Sequence, residues 1–495
     1  MSFKMGNLDN QTTTKGVEDK LSPNELKVMS LNRMVLHLSF TVPTKTISAS
    51  TFKSGLYYLF TPCVFVLYAL VLTAQILGVY QYWGDLDVTM ENLFLTTGFV
   101  MCYWEGAYLK IKRDQIWKLF DRVDSSPVPD ISNSALSETH KKIVKEAQSS
   151  CMKLSWFIFL SVNVGTLMWA VFPLVNLLVH SLSEGENTDE DTIPQQSEYK
   201  PWPYLMYIIW VPYDTTTMPM YAVTYIVQVI VYFAASLYNT SSNIVFLNLV
   251  LHATAKFKVV ESSFLSMGEM MSANKDEDDK LEQITATLEC HSGKETLVDE
   301  DFVKYNQLQS RTSVTDPNNY PVGNDLQLCL DGVFNSECSG IEDFLVECIK
   351  QHQDAIDFTR HLNHIVSPWI AFALLIHQLL LVAEVFQLAT TAGTGFAILK
   401  HFMSIIGVLS QSLLLCWLGE RLIQQSLRVK TAAYDCNWYG QSTMFKRLLL
   451  MVIKRAQDPA KFSAGSFFDI NIEKFDHILR RAYSYYAVLR KMKEP

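Results

Sequence analysis

Residues 55–80, GLYYLFTPCVFVLYALVLTAQILGVY, are an unbroken run of 26 positions without a charged side chain. At about 1.5 Å of rise per helical residue, such a run crosses a hydrocarbon layer of about 30 Å with some tilt. A helix in a water-soluble core meets a charged face well before that length. The run therefore predicts a retained first membrane span. The polar segment 1–54 precedes it and no small-residue cleavage site follows a short apolar core, so a cleaved signal peptide is not expected.

The mean composition hides this segregation. The 495 residues are 49% hydrophobic and 18% charged, with a mean hydropathy of +0.11 that is low for a compact multi-span protein. A large polar insert diluting a membrane core accounts for it: residues 271–340 contain KDEDDK and little apolar periodicity, which predicts a mobile loop. A net charge of −9 excludes nucleic acid as the expected partner, because phosphate binding needs a surplus of Lys and Arg. Nine cysteines, thinly spread, exclude a secreted disulfide scaffold.

Five more spans are expected at 93–109, 154–180, 221–251, 366–390 and 396–419. Glu105, His377, Glu384, Lys400 and His401 fall inside them. Either these groups face a protein interior or a water-filled cavity, or they mark slightly misplaced span ends. A seventh candidate, 467–489, holds Asp469, Glu473, Lys474, Asp476, His477, Arg480 and Arg481, too many charges for a lipid-bathed helix. It reads as an amphipathic helix outside the membrane, or as one whose polar half sits in protein and whose YSYYAVL end enters the bilayer beside water. Asp476 and Arg480, four apart, can pair on one face.

The flanking segments alternate in Lys and Arg. Segment 1–54 has seven, 81–92 none, 110–153 nine, 181–216 only Lys200, 391–395 none and 421–461 eight. The positive-inside rule places the N-terminus, 110–153 and 421–461 in the cytoplasm, and seven crossings leave the C-terminus outside. That orientation is the reverse of a G-protein-coupled receptor. It also leaves no cysteine pair on the oxidising side, and puts the sequons at Asn10 and Asn239 where glycosylation does not reach. The acidic loop 181–200, with Glu184, Glu186, Asp189, Glu190, Asp191 and Glu198, is a solvated loop or a mouth that enriches cations. In 438–455, Leu448, Leu449, Val452, Ile453 and Ala456 against Lys446, Arg447, Lys454 and Arg455 predict an amphipathic helix, with Trp438 and Tyr439 as packing anchors.

No phosphate-loop, dinucleotide, HExxH, GxSxG or CxxC motif occurs, so nothing supports an enzyme, and no cofactor or metal site is expected. Paired, broken-helix repeats of a transporter are not visible.

The run TAAYDCNWYGQSTMFKRLLLMVIKRAQDPAKFSAGSFFDINIEKFDHILRRAYSYYAVLRKM (431–492) resembles the C-terminal signature of insect odorant receptors. PYDTTTMPMYAVTY (212–225) resembles that family's entry into its fourth span, and LVECIKQHQDAIDF (345–358) its run into the fifth. The long 271–340 insert is similar to the loop of the shared olfactory co-receptor, but the final helix lacks the co-receptor's largely uncharged sequence. The resemblance implies an all-α membrane protein of seven transmembrane helices: a subunit of a tetrameric, odorant-gated, non-selective cation channel in the plasma membrane. Its partners would be a small volatile odorant, the co-receptor in a heterotetramer, and the lipid bilayer. The implied organisation is a cytoplasmic segment 1–54, helices 1–4 with a ligand-binding outer half at 55–270, a loop at 271–340, and helices 5–7 with a cytoplasmic anchor and pore helix at 341–495.

In the last helix, the resemblance places the pore and gate at Tyr485, Val488 and Lys491, with Val488 at the hydrophobic constriction. Four lysines at the position of Lys491 would repel a permeant cation, so a mixed tetramer is the expected channel. For the ligand, a shielded apolar pocket is expected in the outer half. Val162, Gly165 and Trp169 share one helical face with a small–small–large profile that leaves a cavity floored by an indole, and they match the family's pocket wall. Tyr221 and Tyr225, Phe94 and Thr97, and His401, Phe402 and Ile405 lie at comparable depth. A gustatory-type receptor channel shares the layout, but its usual TY…QF final-helix signature is absent. A G-protein-coupled receptor would need DRY and NPxxY elements that are not found in place.

Overall fold

A computed structural model of the chain describes residues 30–38, 51–81, 83–84, 86–125, 134–186, 205–213, 215, 217–291, 340–390, 395–465 and 467–493. These form helices α1 (Ser30–Leu38), α2 (Thr51–Gln81), α3 (Leu86–Ile111), α4 (Arg113–Ser125), α5 (Ser134–Glu186), α6 (Met218–His291), α7 (Gly340–Thr390), α8 (Gly395–Asp435), α9 (Thr443–Ala456) and α10 (Ile472–Lys493). A small hairpin pairs β1 (Ser463–Ala464) with β2 (Phe468–Asp469). The protein is an all-α, multi-pass membrane protein.

Among the described residues, five helices are long and apolar enough to cross a membrane: α2, α5, α6, α7 and α8. The other two expected spans, in α3 and α10, are less apolar: α10 is rich in charged residues, and α3 carries Thr96, Thr97, Trp104 and Glu105 within its expected span. In α3 the charges are partnered. Trp369 Nε1 donates to Glu105 Oε1 at 3.2 Å, Lys110 sits 3.7 Å from the Phe65 ring centroid, and Lys400 reaches Glu91 at 2.7 Å. The apolar window of α7 is 61% buried while those of the other four are 22–28% buried, so α7 is the central helix and the rest turn most of their apolar surface outward.

Helices α6 and α7, with 74 and 51 residues, run about 110 and 77 Å at 1.5 Å per residue, far beyond a 30 Å hydrocarbon layer. Their projecting ends pack with α5, α8 and α9 into the main core, in which Phe257, Phe264, Leu345, Phe358, Val429 and Phe445 are fully buried. The amphipathic helix expected at 438–455 is α9. It buries Phe445, Leu448, Leu449, Val452 and Ala456, keeps Arg447, Lys454 and Arg455 exposed, and is capped by Ser442 Oγ, which accepts from Phe445 N at 3.1 Å. Trp438 packs against this core, while Tyr439 stacks on it from outside at 4.1 Å. A smaller core at the opposite end joins Tyr68, Phe99, Trp169, Tyr207 and Val231.

Two loop boundaries differ from expectation. Residues 181–186 of the expected 181–200 loop are the helical end of α5. The segment after 270 is helical as far as His291, as a continuation of α6, because Ala273, Lys275, Glu277, Lys280, Leu281 and Glu282 are good helix formers despite their polarity. The remainder of the expected loop, 292–339, lies outside the described residues, as do residues 1–29 and the acidic stretch 187–204. Asn239 lies within α6, where its Oδ1 accepts from Asn243 at 2.6 Å. Cys63, Cys102, Cys151, Cys348, Cys416 and Cys436 are all free thiols.

The hairpin sets the start of α10. Asn363 Oδ1 accepts from Ser463 N at 3.0 Å, Gly465 N donates to Ser367 O at 3.2 Å, and Gly465 takes a φ of +59°, the left-handed conformation in which glycine avoids a Cβ penalty. Lys461 and Asp469 pair at 2.8 Å across the hairpin, which raises the lysine pKa above its usual value. From there α10 packs on α7 and α8 through Phe475, Ile478 and Ala482.

Candidate functional site

A cavity of about 200 Å³ lies between α3, α5, α6, α7 and α8. For scale, a cavity of about 150 Å³ accommodates benzene. Phe94 comes from α3, Val162, Gly165 and Trp169 from α5, Tyr232 from α6, Leu380 from α7, and Met403 and Gly407 from α8. The spacing of the α5 residues gives them one face, and Gly165 has nothing within 4 Å of where a Cβ would stand, so its missing side chain is open space.

Trp169 fixes the wall between α5 and α8. It is 6% exposed, donates from Nε1 to Ser404 Oγ at 3.0 Å, and stacks on Phe94 with centroids 5.7 Å apart and planes at 25°. Behind it are four ionisable groups. Lys400 Nζ lies 4.3 Å from the Trp169 ring centroid and pairs with Glu91, and His401 Nδ1 pairs with Glu384 Oε2 at 2.9 Å. Each of these four has a partner within hydrogen-bond reach, the condition under which such groups persist at membrane depth.

Four of the ten sequence-expected ligand residues, Phe94, Val162, Gly165 and Trp169, line the cavity together. Thr97, on the same helix as Phe94, is partly buried outside the lining. Tyr221 and Tyr225 stack on each other at 5.9 Å above it, and Tyr225 Oη donates to Ala170 O, so the pair ties α6 to α5 beside the cavity. On α8 the lining face is Lys400, Met403, Ser404, Gly407, Val408 and Gln411, one residue out of phase with His401, Phe402 and Ile405. His401 turns to Glu384, Phe402 is 52% exposed on the outer surface, and Ile405 is partly buried away from the cavity. The polar lining residues Asn239, His377, Lys400 and Gln411 escape a search for apolar faces. Their only sequence signal is that His377 and Lys400 interrupt apolar runs.

The expected pore residues lie on α10. Tyr485 and Val488 are 54% and 57% exposed, and Lys491 is exposed; Tyr485, seven residues beyond the packed Ile478, lies on the same side of the helix, and Val488 and Lys491 turn progressively away from it. The i,i+4 pair expected between Asp476 and Arg480 forms at 2.7 Å.

The 7tm odorant receptor family model matches residues 85–309 and 324–483. The chain belongs to the odorant receptor family. The receptor is 28% identical over 148 residues to odorant receptor Or2 of Anopheles gambiae, covering 30% of this chain and 39% of that one. It is 32% identical over 132 residues to the odorant receptor coreceptor of Ooceraea biroi, covering 26% and 28%. The receptor thus aligns with well under half the length of these curated relatives. Its fold matches the insect olfactory receptor OR5 of Machilis hrabei in complex with eugenol, with a TM-score of 0.67 and 16% identity over 94% of this chain and 97% of that one. At that identity the likeness is one of fold.

Proposed function

We propose that this receptor is an odorant-gated, non-selective cation channel subunit of the plasma membrane, acting in olfactory detection, with the cavity between α3, α5, α6, α7 and α8 as its ligand site. The observation that carries the reading is the cavity itself: small, mostly apolar, roomy at Gly165 and walled by Trp169, the form suited to a volatile molecule. The family's name and the ligand of OR5 support an odorant as the occupant.

The orientation proposed has α4, α9 and the N-terminus in the cytoplasm, following the Lys and Arg excess of those segments. The polar and aromatic face of α10, exposed in the single chain, then lines a pore shared between subunits, with Val488 closing it by dewetting. A ring of four Lys491 side chains disfavours cations, so the conducting assembly is a heterotetramer with the olfactory co-receptor. Substituting Trp169→Ala tests the site. Dose–response curves across an odorant panel should shift by about tenfold or more for some ligands while surface expression persists. Superimposable curves for every active ligand would place the pocket elsewhere.

A further inference from the structure

The wall of the cavity along α3 and α5 is mainly apolar, its Ser161 and Thr166 hydroxyls donating to the backbone carbonyls of Ile158 and Val162 on their own helix, but α8 brings a cation to it. Lys400 lines the cavity and its side chain is only 5% exposed. Its Nζ donates to Glu91 Oε1 at 2.7 Å and lies 4.3 and 4.5 Å from the ring centroids of Trp169 and Phe172. An ionisable side chain at this depth is costly, and a leucine or methionine would fill the same space without that cost. The same wall carries the hydroxyl of Ser404, the imidazole of His377 and the amide of Gln411. His377 shares Nδ1 with Ser412 Oγ at 3.1 Å, and its Nε2 makes no hydrogen bond of good geometry among the described residues. One side of the cavity therefore offers a cation and polar side chains, and the other mainly dispersion contacts.

Charge decides which ligand fits that arrangement. Glu91 balances Lys400, and Glu384 is already engaged by the His401 ring, so the lysine has no unpaired charge for a charged guest to neutralise. A carboxylate ligand would bring an uncompensated anion close to two acidic side chains, and an amine would set a cation against Lys400. A hydrocarbon leaves the lysine donors unused. An ammonium has three N–H donors and only one is spent on Glu91, so a neutral oxygen acceptor can take another while its alkyl part lies along Val162, Gly165 and Leu380. We propose that Lys400 makes this receptor selective for small neutral volatiles bearing a carbonyl oxygen, ketones and esters, over hydrocarbons, amines and acids of the same length. The proposal rests on the cavity being the odorant site.

The test applies an alkane, a methyl ketone, a methyl ester, a primary amine and a carboxylic acid of matched length to cells expressing the full chain with the co-receptor. The unaltered receptor is compared with Lys400→Met/Glu91→Gln, which removes the cation and its partner together, and with Lys400→Arg, which keeps a cation; surface labelling monitors delivery of each. In the unaltered receptor, ketone and ester should act at concentrations lower than the alkane by about tenfold or more, the ratio of one charge-assisted hydrogen bond. The double variant should lose that preference and Lys400→Arg should retain it. An alkane, amine or acid that matches the ketone in the unaltered receptor overturns the proposal whatever the variants do, and so does an undiminished preference in the double variant. Filling the cavity with Gly165→Trp separates the two layers: if every response survives it, the cavity is not the odorant site, and the failure belongs to that reading.

Discussion

Gly419 and Gly165 place opposite demands on an added methyl group. A Cβ on Gly419 would stand 2.5 Å from the Ile470 carbonyl oxygen, a backbone atom that cannot step aside, whereas a Cβ on Gly165 meets nothing within 4 Å. Gly419→Ala should therefore lower stability by about 1–3 kcal/mol, read as a lower melting temperature of the detergent-purified protein. Gly165→Ala should leave that melting temperature unchanged and alter only ligand response; equal effects on melting would refute the close approach of α8 to the chain leading into α10. At Trp169, the conservative change to Phe keeps an aromatic wall but strands Ser404 Oγ without its indole donor. It should cost about 1 kcal/mol of stability and reduce sensitivity less than Trp169→Ala does. The α5 residues of the cavity were legible in the sequence because small and large side chains alternate there with helical spacing. The α8 face was not: Lys400, Ser404 and Gly407 mark it at helical spacing, but a search for apolar and aromatic side chains settles instead on His401, Phe402 and Ile405, and one residue of error rotates a helix by about 100°.

Helices of this chain do two jobs, crossing the membrane and building a core beyond it. The spans with the longest uncharged runs were legible at once, and so was α9, whose apolar and basic residues separate cleanly. The extension of α6 to His291 was not, because acidic composition reads as loop when no packing partner is visible in the sequence. Nor was the hairpin between α9 and α10, whose two strands of two residues each carry no periodicity and depend on Asn363 and Ser367 of α7. That dependence is testable. Asn363→Ala removes the acceptor for Ser463 N and should cost about 1 kcal/mol while raising ligand-independent leak current, because the start of α10 loosens. Unchanged leak with normal surface expression would separate the hairpin from gating. In α9, Leu449→Ala, at a site 2% exposed, should cost about 2–5 kcal/mol and reduce surface delivery, measured by biotinylation.

At the scale of the whole molecule, a cavity near one end and a projecting helical core at the other are joined by α7 and α8, which contribute residues to both. On the proposed reading, a ligand in the cavity touches α8, a helix that also packs against α10. The channel account asks that this connection end in an ion pathway along α10, and that Lys491 make a homotetramer a poor conductor. Expression with the co-receptor should accordingly give odorant-evoked current, and expression of this chain alone should give little; robust current from the chain alone would remove the argument from Lys491. The most direct measurement is the odorant-evoked current under voltage clamp in cells expressing the chain with the co-receptor, recorded for the unaltered receptor and for Gly165→Trp. The account predicts a conductance that reverses near zero millivolts in mixed sodium and potassium and disappears when the cavity is filled, with surface expression intact. A ligand response without conductance, or a current undiminished by Gly165→Trp, would contradict it.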